Sequence, residues 1–223
     1  MKIIHIILAF VAFAFVSNYS IAKVYDRNMG RDLKLPAQKM LEYQRVSAPA
    51  AASTAYILTA NDGDDSGAAA TVSTFTAQPD VPRVLVVTPG GTTADVAAGN
   101  VVITGTNIHG EAITDTLAFL ANASTATTGT KAFKTVSSIV FPAEDSPYGA
   151  TWTVGITDKL GLKHCLAQAG DVIQTVFNGT REATQATCNA DVDEVEKNYC
   201  DPNSAADGSN VDFYFVQNYR CLY

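Results

Sequence analysis

The stretch VVITGTNIHGEAITDTLAFL, residues 101–120, contains two runs of residues that favour β-strands, and the glycine-bearing segment NIHGE separates them. This spacing predicts two neighbouring strands, at 101–106 and 112–120. The segments PGGTTAD and NASTATTGT, on either side of this pair, are predicted turns. Further strand-like runs recur between Arg83 and about Leu162: VLVVT at 84–88, FKTVSSIVF at 133–141 and TWTVGI at 151–156.

The alternation of residue types is clearest at 151–156, where Trp152, Val154 and Ile156 alternate with small and polar residues. Successive residues of a strand point to opposite faces of the sheet, so this pattern predicts that the tryptophan lies in a core. Short strands, frequent turns and the lack of a convincing amphipathic helix are typical of a β-sandwich. We therefore predict an all-β, immunoglobulin-like β-sandwich with an N-terminal arm and a C-terminal β-hairpin extension; a small barrel is the alternative.

Turn signals and changes in composition divide the chain into four predicted segments. The arm is expected to be extended, with at most one short helix before residue 50 and a strand at 55–59. The segments are a hydrophobic N-terminal segment at 1–22, the arm and first strands at 23–78, the β-sandwich core at 79–162 and a C-terminal β region at 163–223.

The C-terminal region contains the strongest local signal for a hairpin. The run VIQTVF at 172–177 meets Asn178-Gly179, a dipeptide that readily takes the positive φ angles of a type I′ turn. Residues 171–187 are therefore predicted to form a β-hairpin. A last strand is predicted at 211–216, VDFYFV, where apolar and polar residues alternate.

The first 22 residues resemble a secretory signal peptide. Lys2 precedes an apolar run of 14 residues, IIHIILAFVAFAFV, the polar stretch SNYS follows it, and Ser20-Ile21-Ala22 gives small residues at the positions that a signal peptidase reads. The run is shorter than the roughly 20 residues that a membrane-spanning helix needs. Cleavage after Ala22 is therefore the prediction, and a retained hydrophobic segment is the alternative.

The charge of the chain argues against a nucleic-acid partner. The formal net charge is -7, and the 15 lysines and arginines are scattered singly along the sequence. A nucleic-acid-binding surface needs clustered positive charge, which this distribution does not provide.

All four cysteines, Cys165, Cys188, Cys200 and Cys221, lie in the last third of the chain. An even number in an exported protein predicts two disulfides, and the sequence alone allows all three pairings. As a working hypothesis, Cys188 pairs with Cys200 across the acidic segment DVDEVE, and Cys221 ties down the C-terminal tail. The spacings do not match those of zinc sites.

No arrangement of residues predicts catalysis. Beyond residue 22 only His109 and His164 could serve as imidazole bases, and neither lies near a nucleophile-elbow pattern. The loop at 61–65 and the run at 191–196 hold acids that could bind calcium, but solvated loops are the favoured interpretation. Residues 89–92, PGGT, lack the lysine of a phosphate-binding loop. We expect a non-enzymatic protein with no catalytic, cofactor-binding or metal-binding residues.

The segment PDVPRVLVVTPGGTTADVAAGNVVITGTNIHGEAITDTLAF, followed by TGTKAFKTVSSIVFP and DKLGL, resembles a module of virion proteins of tailed bacteriophages. The later stretch FNGTREATQAT with DVDEVEKN is similar to the continuation of such proteins, and the resemblance covers roughly residues 45–218. It implies a structural subunit that decorates or cements a capsid. The implied partners are the major capsid protein or other virion subunits, in a homo-oligomer or lattice, with neither nucleic acid nor a small-molecule substrate.

Two alternatives stay open beside capsid decoration. One is a tail component of the particle, and the other is an exported or periplasmic cell-surface binding module. Virion subunits normally carry no signal peptide and assemble where cysteines stay reduced, whereas this sequence predicts both a signal peptide and disulfides. A start at Met29, a retained hydrophobic segment or recruitment of the module to an exported protein would each resolve the conflict.

Overall fold

The computed structural model describes residues 40–61, 68–145 and 147–217. Within these ranges the chain forms fourteen β-strands and three single turns of 3-10 helix. The all-β class is therefore confirmed. The strands are β1 (Met40–Val46), β2 (Ser53–Asn61), β3 (Ala70–Val72), β4 (Arg83–Gly91), β5 (Gly99–Thr106), β6 (Ala112–Phe119), β7 (Thr127–Phe133), β8 (Thr135–Phe141), β9 (Ala150–Gly161), β10 (Val172–Phe177), β11 (Thr180–Arg181), β12 (Thr187–Asn189), β13 (Tyr199–Asp201) and β14 (Val211–Gln217).

The described strands form three antiparallel sheets. Sheet I has the order β1-β14-β10-β11, and sheet III has the order β3-β8-β5-β6. Sheet II has the order β12-β13-β9-β4-β7, and β2 also pairs with β9. Because β4 occupies one edge of β9, β2 and β13 share the opposite edge, at different ends of this long strand.

Two strand predictions needed correction around β7. The run at 133–141 is not one strand: Phe133 ends β7, and β8 begins at Thr135. In addition, β7 begins at Thr127, inside the segment that was predicted as a turn. The buried carboxylate of Asp115 on β6 explains this, because it accepts hydrogen bonds from the backbone N–H groups of Thr130 (2.7 Å) and Lys131 (3.2 Å). A Cβ atom on Gly129 would lie 2.5 Å from the Asp115 carboxylate, so the glycine permits this approach.

The predicted hairpin is present but shorter than expected. Asn178 and Gly179 have φ angles of 48° and 76°, as the turn requires, and only two residue pairs of β10 and β11 follow. Beyond them the backbone N–H of Glu182 still donates to the backbone oxygen of Thr175, and the carboxylate of Glu182 accepts hydrogen bonds from the backbone N–H groups of Asn203 and Ser204. The main partner of β10 is therefore β14, not the second arm of a hairpin at 171–187.

The predicted N-terminal arm also needs correction where it can be compared. Residues 40–46 are not a free arm, because β1 pairs with β14 along all seven residues, from Met40 opposite Gln217 to Val46 opposite Val211. Residues 1–39, which include the predicted signal peptide and Met29, lie outside the described residues.

Two large hydrophobic clusters form most of the core of the described residues, and β9 contributes to both; a third, small cluster contains Cys165 and Val195. The first lies between sheets II and III and contains Trp152, whose ring centroid is 5.1 Å from that of Phe119 and 5.5 Å from that of Phe141. Trp152 is fully buried, as the alternation predicted. The second cluster lies under sheet I and includes Leu160, near the end of β9, and Phe213 of β14.

Arg83, the first residue of β4, lies fully buried beside Leu160 where β9 passes between the two clusters. Its Nη2 donates to the backbone oxygen of Ala50 (2.7 Å) and its Nη1 to that of Thr157 (3.2 Å). The carboxylate of Asp80 lies 3.0 Å from Nε and neutralises the charge. Burial lowers the pKa of Arg83, and the attraction of Asp80 opposes that effect.

Replacing Arg83 should destabilise the fold strongly. We expect Arg83→Ala to lower the free energy of unfolding by about 3 kcal/mol, because two partly buried carbonyls lose their donor and Asp80 loses its partner. Arg83→Lys should cost less, because it keeps the positive charge beside Asp80. Urea denaturation of both variants tests this; equal stability of Arg83→Ala and the unsubstituted chain would contradict it.

Candidate interaction surface

The residues singled out for chemistry do not assemble into a reactive site in the described part of the chain. The Nε2 of His109 lies 2.9 Å from the backbone oxygen of Lys163 and donates to it. The ring of His164 lies beside Phe215, with Nδ1 3.3 Å from the side-chain nitrogen of Gln217. Burial, followed by the nearby Lys163 charge, lowers the pKa of His164. His164 therefore packs against β14 of sheet I, whereas His109 is exposed and bonds to the chain at Lys163.

The loop at 61–65, which was weighed as a calcium site and interpreted as a solvated loop, lies mostly outside the described residues. Asn61 ends β2, whereas residues 62–65 of that loop lie outside the described residues. Among the described residues no group of three or more histidine, cysteine, aspartate or glutamate side chains could hold a metal ion. Residues 89–92, considered as a phosphate loop, are the end of β4 and the residue after it.

The acidic segment at 191–196 is not the plain solvated loop that was expected. The Nζ of Lys131, from β7, lies 3.1 Å from Glu194 and 3.2 Å from Glu196, and Lys197 lies 2.6 Å from Glu194. The hydrogen bond from Lys197 and those from Lys131 lower the pKa of Glu194. Asp191 accepts from two backbone N–H groups within the same turn. Two lysines of the same chain thus pair with acids of this segment, and Lys131 ties it to β7.

The cysteines stabilise the same region. Cys188 of β12 and Cys200 of β13 are directly opposite one another and form a disulfide, as the working hypothesis predicted. Cys165 is buried and is also disulfide-bonded, so it is not a reactive thiol. Cys221 lies outside the described residues.

Removal of the Cys188–Cys200 disulfide should destabilise the chain. The bond closes a loop with a sequence separation of 12. A loop of this length predicts a loss of about 3 kcal/mol in the double variant Cys188→Ala/Cys200→Ala, mainly because the unfolded chain gains freedom. Denaturant titration of this variant under non-reducing conditions, which leaves Cys165 oxidised, measures the effect. An unchanged unfolding midpoint would contradict it.

The outer face of sheet I carries apolar and aromatic side chains that the described residues do not cover. Leu41 is 62% exposed, Tyr43 is 43% exposed and Ile173 is 46% exposed. We call this surface the tyrosine face. Its members are Leu41, Tyr43 and Arg45 of β1, Asp212, Tyr214 and Val216 of β14, and Ile173, Gln174 and Val176 of β10.

Strand alternation places these side chains on one surface. The intervening residues of β14, among them Phe213 and Phe215, are fully buried in the second cluster. On β1 the side chain of Gln44 also points inward, where it donates to the backbone oxygen of Gly161 and accepts from the N–H of Lys163. One side of sheet I is thus anchored to the core, and the tyrosine face is the other side.

A polar network holds the centre of the tyrosine face in place. The Nε and Nη2 of Arg45 donate to the carboxylate of Asp212 at 2.7 and 3.1 Å, and the hydroxyl of Tyr43 donates to the same carboxylate at 2.9 Å. The rings of Tyr43 and Tyr214 lie 5.2 Å apart between centroids. The hydrogen bond from Arg45, and the one from Tyr43, hold the pKa of Asp212 below its usual range. The aromatic side chains are therefore ordered before any partner binds.

No protein-family model, curated protein or solved structure matches this chain. In the part of the chain that the structure describes, no helix has the length and apolarity to span a membrane.

The tyrosine face was missed at the level of sequence, although a signal was present. In the segment MLEYQRV at 40–46, Leu41, Tyr43 and Arg45 occupy every second position, with Glu42 and Gln44 between them. A spacing of two residues is the period of a strand. Its polar residues at inward positions made it resemble an exposed arm. Only the contacts of Gln44 with the chain around residue 162 explain why an inward polar residue is tolerated there.

The carboxylate of Asp212 should make stability depend on pH. Because its pKa is lower in the folded state, it stabilises the fold above the ordinary aspartate pKa of about 3.9, and this contribution is lost as pH falls through the lower folded value. Asp212→Asn should therefore be less stable than the unsubstituted chain near neutral pH, and the difference should shrink towards pH 2. Urea midpoints across this range provide the measurement, and a difference that does not change with pH would contradict the assignment.

Proposed function

We propose that this chain is a non-enzymatic structural subunit of a tailed-bacteriophage particle, which decorates or cements the capsid through protein–protein contacts. The observation that carries the proposal is the tyrosine face, an ordered surface of aromatic and aliphatic side chains around a single charge pair. Surfaces of this composition are typical of protein interfaces, where tyrosine and arginine are enriched. The resemblance of roughly residues 45–218 to virion proteins supports the choice of partner, namely the major capsid protein or a neighbouring subunit.

In this proposal the sheets layer as an immunoglobulin-like sandwich, and residues before β1 serve as an arm that contacts neighbouring subunits. The net charge of -7 supports a protein partner and not nucleic acid. A tail component would use the same surface, and the location of the protein within the particle distinguishes the two.

A second candidate function is an exported or periplasmic cell-surface binding module. The disulfides favour it, because Cys188–Cys200 and the bonded Cys165 are stable in oxidising compartments and uncommon in the cytoplasm. The predicted signal peptide at 1–22 supports the same alternative.

Purified particles from the native source provide the decisive experiment. Intact mass and N-terminal sequencing should identify the protein in particles, starting near Met29 or with residues 1–22 retained. A form that begins at Lys23 and occurs only outside particles would overturn the proposal in favour of the exported module.

The tyrosine face can be tested in the same system by complementing particles with variant subunits. We expect Ile173→Asp to reduce incorporation by about tenfold or more, because a carboxylate on an interface loses solvation without gaining a partner. Leu120→Asp is the matched control, since Leu120 is 81% exposed and follows β6 of sheet III. Equal incorporation of the two variants would exclude the tyrosine face as the contact surface.

A further inference from the structure

Strand β1 is a complete, regular edge strand. It pairs with β14 over all seven residues without a register shift, and within the described ranges it has no partner on its other side. The opposite edge of sheet I, β11, has only two residues, and β10 next to it carries an irregularity between Val172 and Gln174. Of the two edges of this sheet, only β1 offers a long row of backbone donors and acceptors.

The usual devices that protect an edge strand are weak in β1. Proteins block such edges with proline, bulges, lysine or inward-pointing charges. The sequence MLEYQRV has no proline or lysine and the strand has no bulge. Its one inward charge, Glu42, is neutralised by Lys163, whose Nζ lies 3.0 Å away. The exposed Met40, Leu41 and Tyr43 instead make the edge suited to pairing.

We propose that β1 pairs antiparallel with β1 of a second copy of this chain, about a two-fold axis at Tyr43. Residues directly opposite in an antiparallel pair must lie on the same face, so the axis has to pass through a residue. Centred on Tyr43, the register pairs all seven residues: Met40 with Val46, Leu41 with Arg45, Glu42 with Gln44, and Tyr43 with itself. No like charges are opposite one another.

The neighbouring registers are worse for identifiable reasons. A two-fold axis at Glu42 places two carboxylates opposite each other, and an axis at Arg45 does the same with two guanidinium groups; like charges directly opposite destabilise a sheet. An axis at Gln44 avoids such a pair but leaves Met40 and Leu41 unpaired. Charge complementarity and length therefore select the register at Tyr43.

The dimer would extend sheet I from four strands to eight and would join the tyrosine faces of the two copies. Tyr43 of each copy would lie beside the other, flanked by the two Tyr214 side chains, with Arg45 of each copy next to Leu41 of the other. This goes beyond the proposed function, because it concerns contact between two copies of the chain and not attachment to a particle.

Charge substitutions at Leu41 test the register, because Leu41 is opposite Arg45 of the second copy. The chain, purified in the processed form that its source accumulates, should be dimeric by sedimentation analysis. Leu41→Lys should weaken the dimer by roughly three- to thirty-fold, since two like-charge pairs form per dimer. Leu41→Glu should dimerise at least as tightly as the unsubstituted chain, since each glutamate would lie opposite Arg45 of the other copy and the dimer gains two opposite-charge pairs. Leu120→Lys and Leu120→Glu, on another sheet, are matched controls and should change nothing.

Other outcomes would overturn the inference. A chain that stays monomeric at its highest soluble concentration does not pair through β1. A dimer that Leu41→Lys and Leu41→Glu weaken equally is held by apolar contact or by another register. The result is separate from the particle experiment: a monomer found in particles overturns only the dimer, and a dimer absent from particles overturns only the proposed function.

Discussion

The buried guanidinium of Arg83 is the interaction on which the two halves of the described core depend. Strand β9 crosses from the cluster around Trp152 to the cluster under sheet I, and Arg83 lies opposite Leu160 at that crossing. A cation is tolerated there because Asp80 neutralises it and two backbone carbonyls accept hydrogen bonds from its Nη1 and Nη2. The same group holds the segment before β2 against β9, since one of those carbonyls belongs to Ala50.

The second cluster decides which side of sheet I faces outward. Its inner side is committed to the second cluster through Phe213 and Phe215, so its other side must face outward. Asp212 organises that outward side, because one carboxylate receives hydrogen bonds from both Arg45 and Tyr43. A surface ordered in this way loses little side-chain entropy when a partner binds, which is the advantage that preorganisation gives to an interface.

Local sequence patterns predicted most strands. The strands that were missed depend on partners that lie elsewhere in the chain. The strands around 101–120 and 211–216 were found because alternation and turn residues lie within each segment. The start of β7 was missed because it depends on the carboxylate of Asp115, which lies on another strand. Strand β1 was taken for an arm because its partner, β14, lies about 170 residues further along the chain. Pairing over such a distance leaves no local signal.

The sequence by itself determined the all-β class, the inward position of Trp152 and the turn at Asn178, because these depend on residue types over a few neighbouring positions. It also pointed to the disulfide between Cys188 and Cys200, whose cysteines flank one acidic segment. Only the tertiary structure decided that Lys131 pairs with Glu194 and Glu196 of that segment and that β1 joins β14 to create the tyrosine face. Those outcomes depend on groups far apart in the chain, whose burial and charge balance exist only once the sheets are assembled.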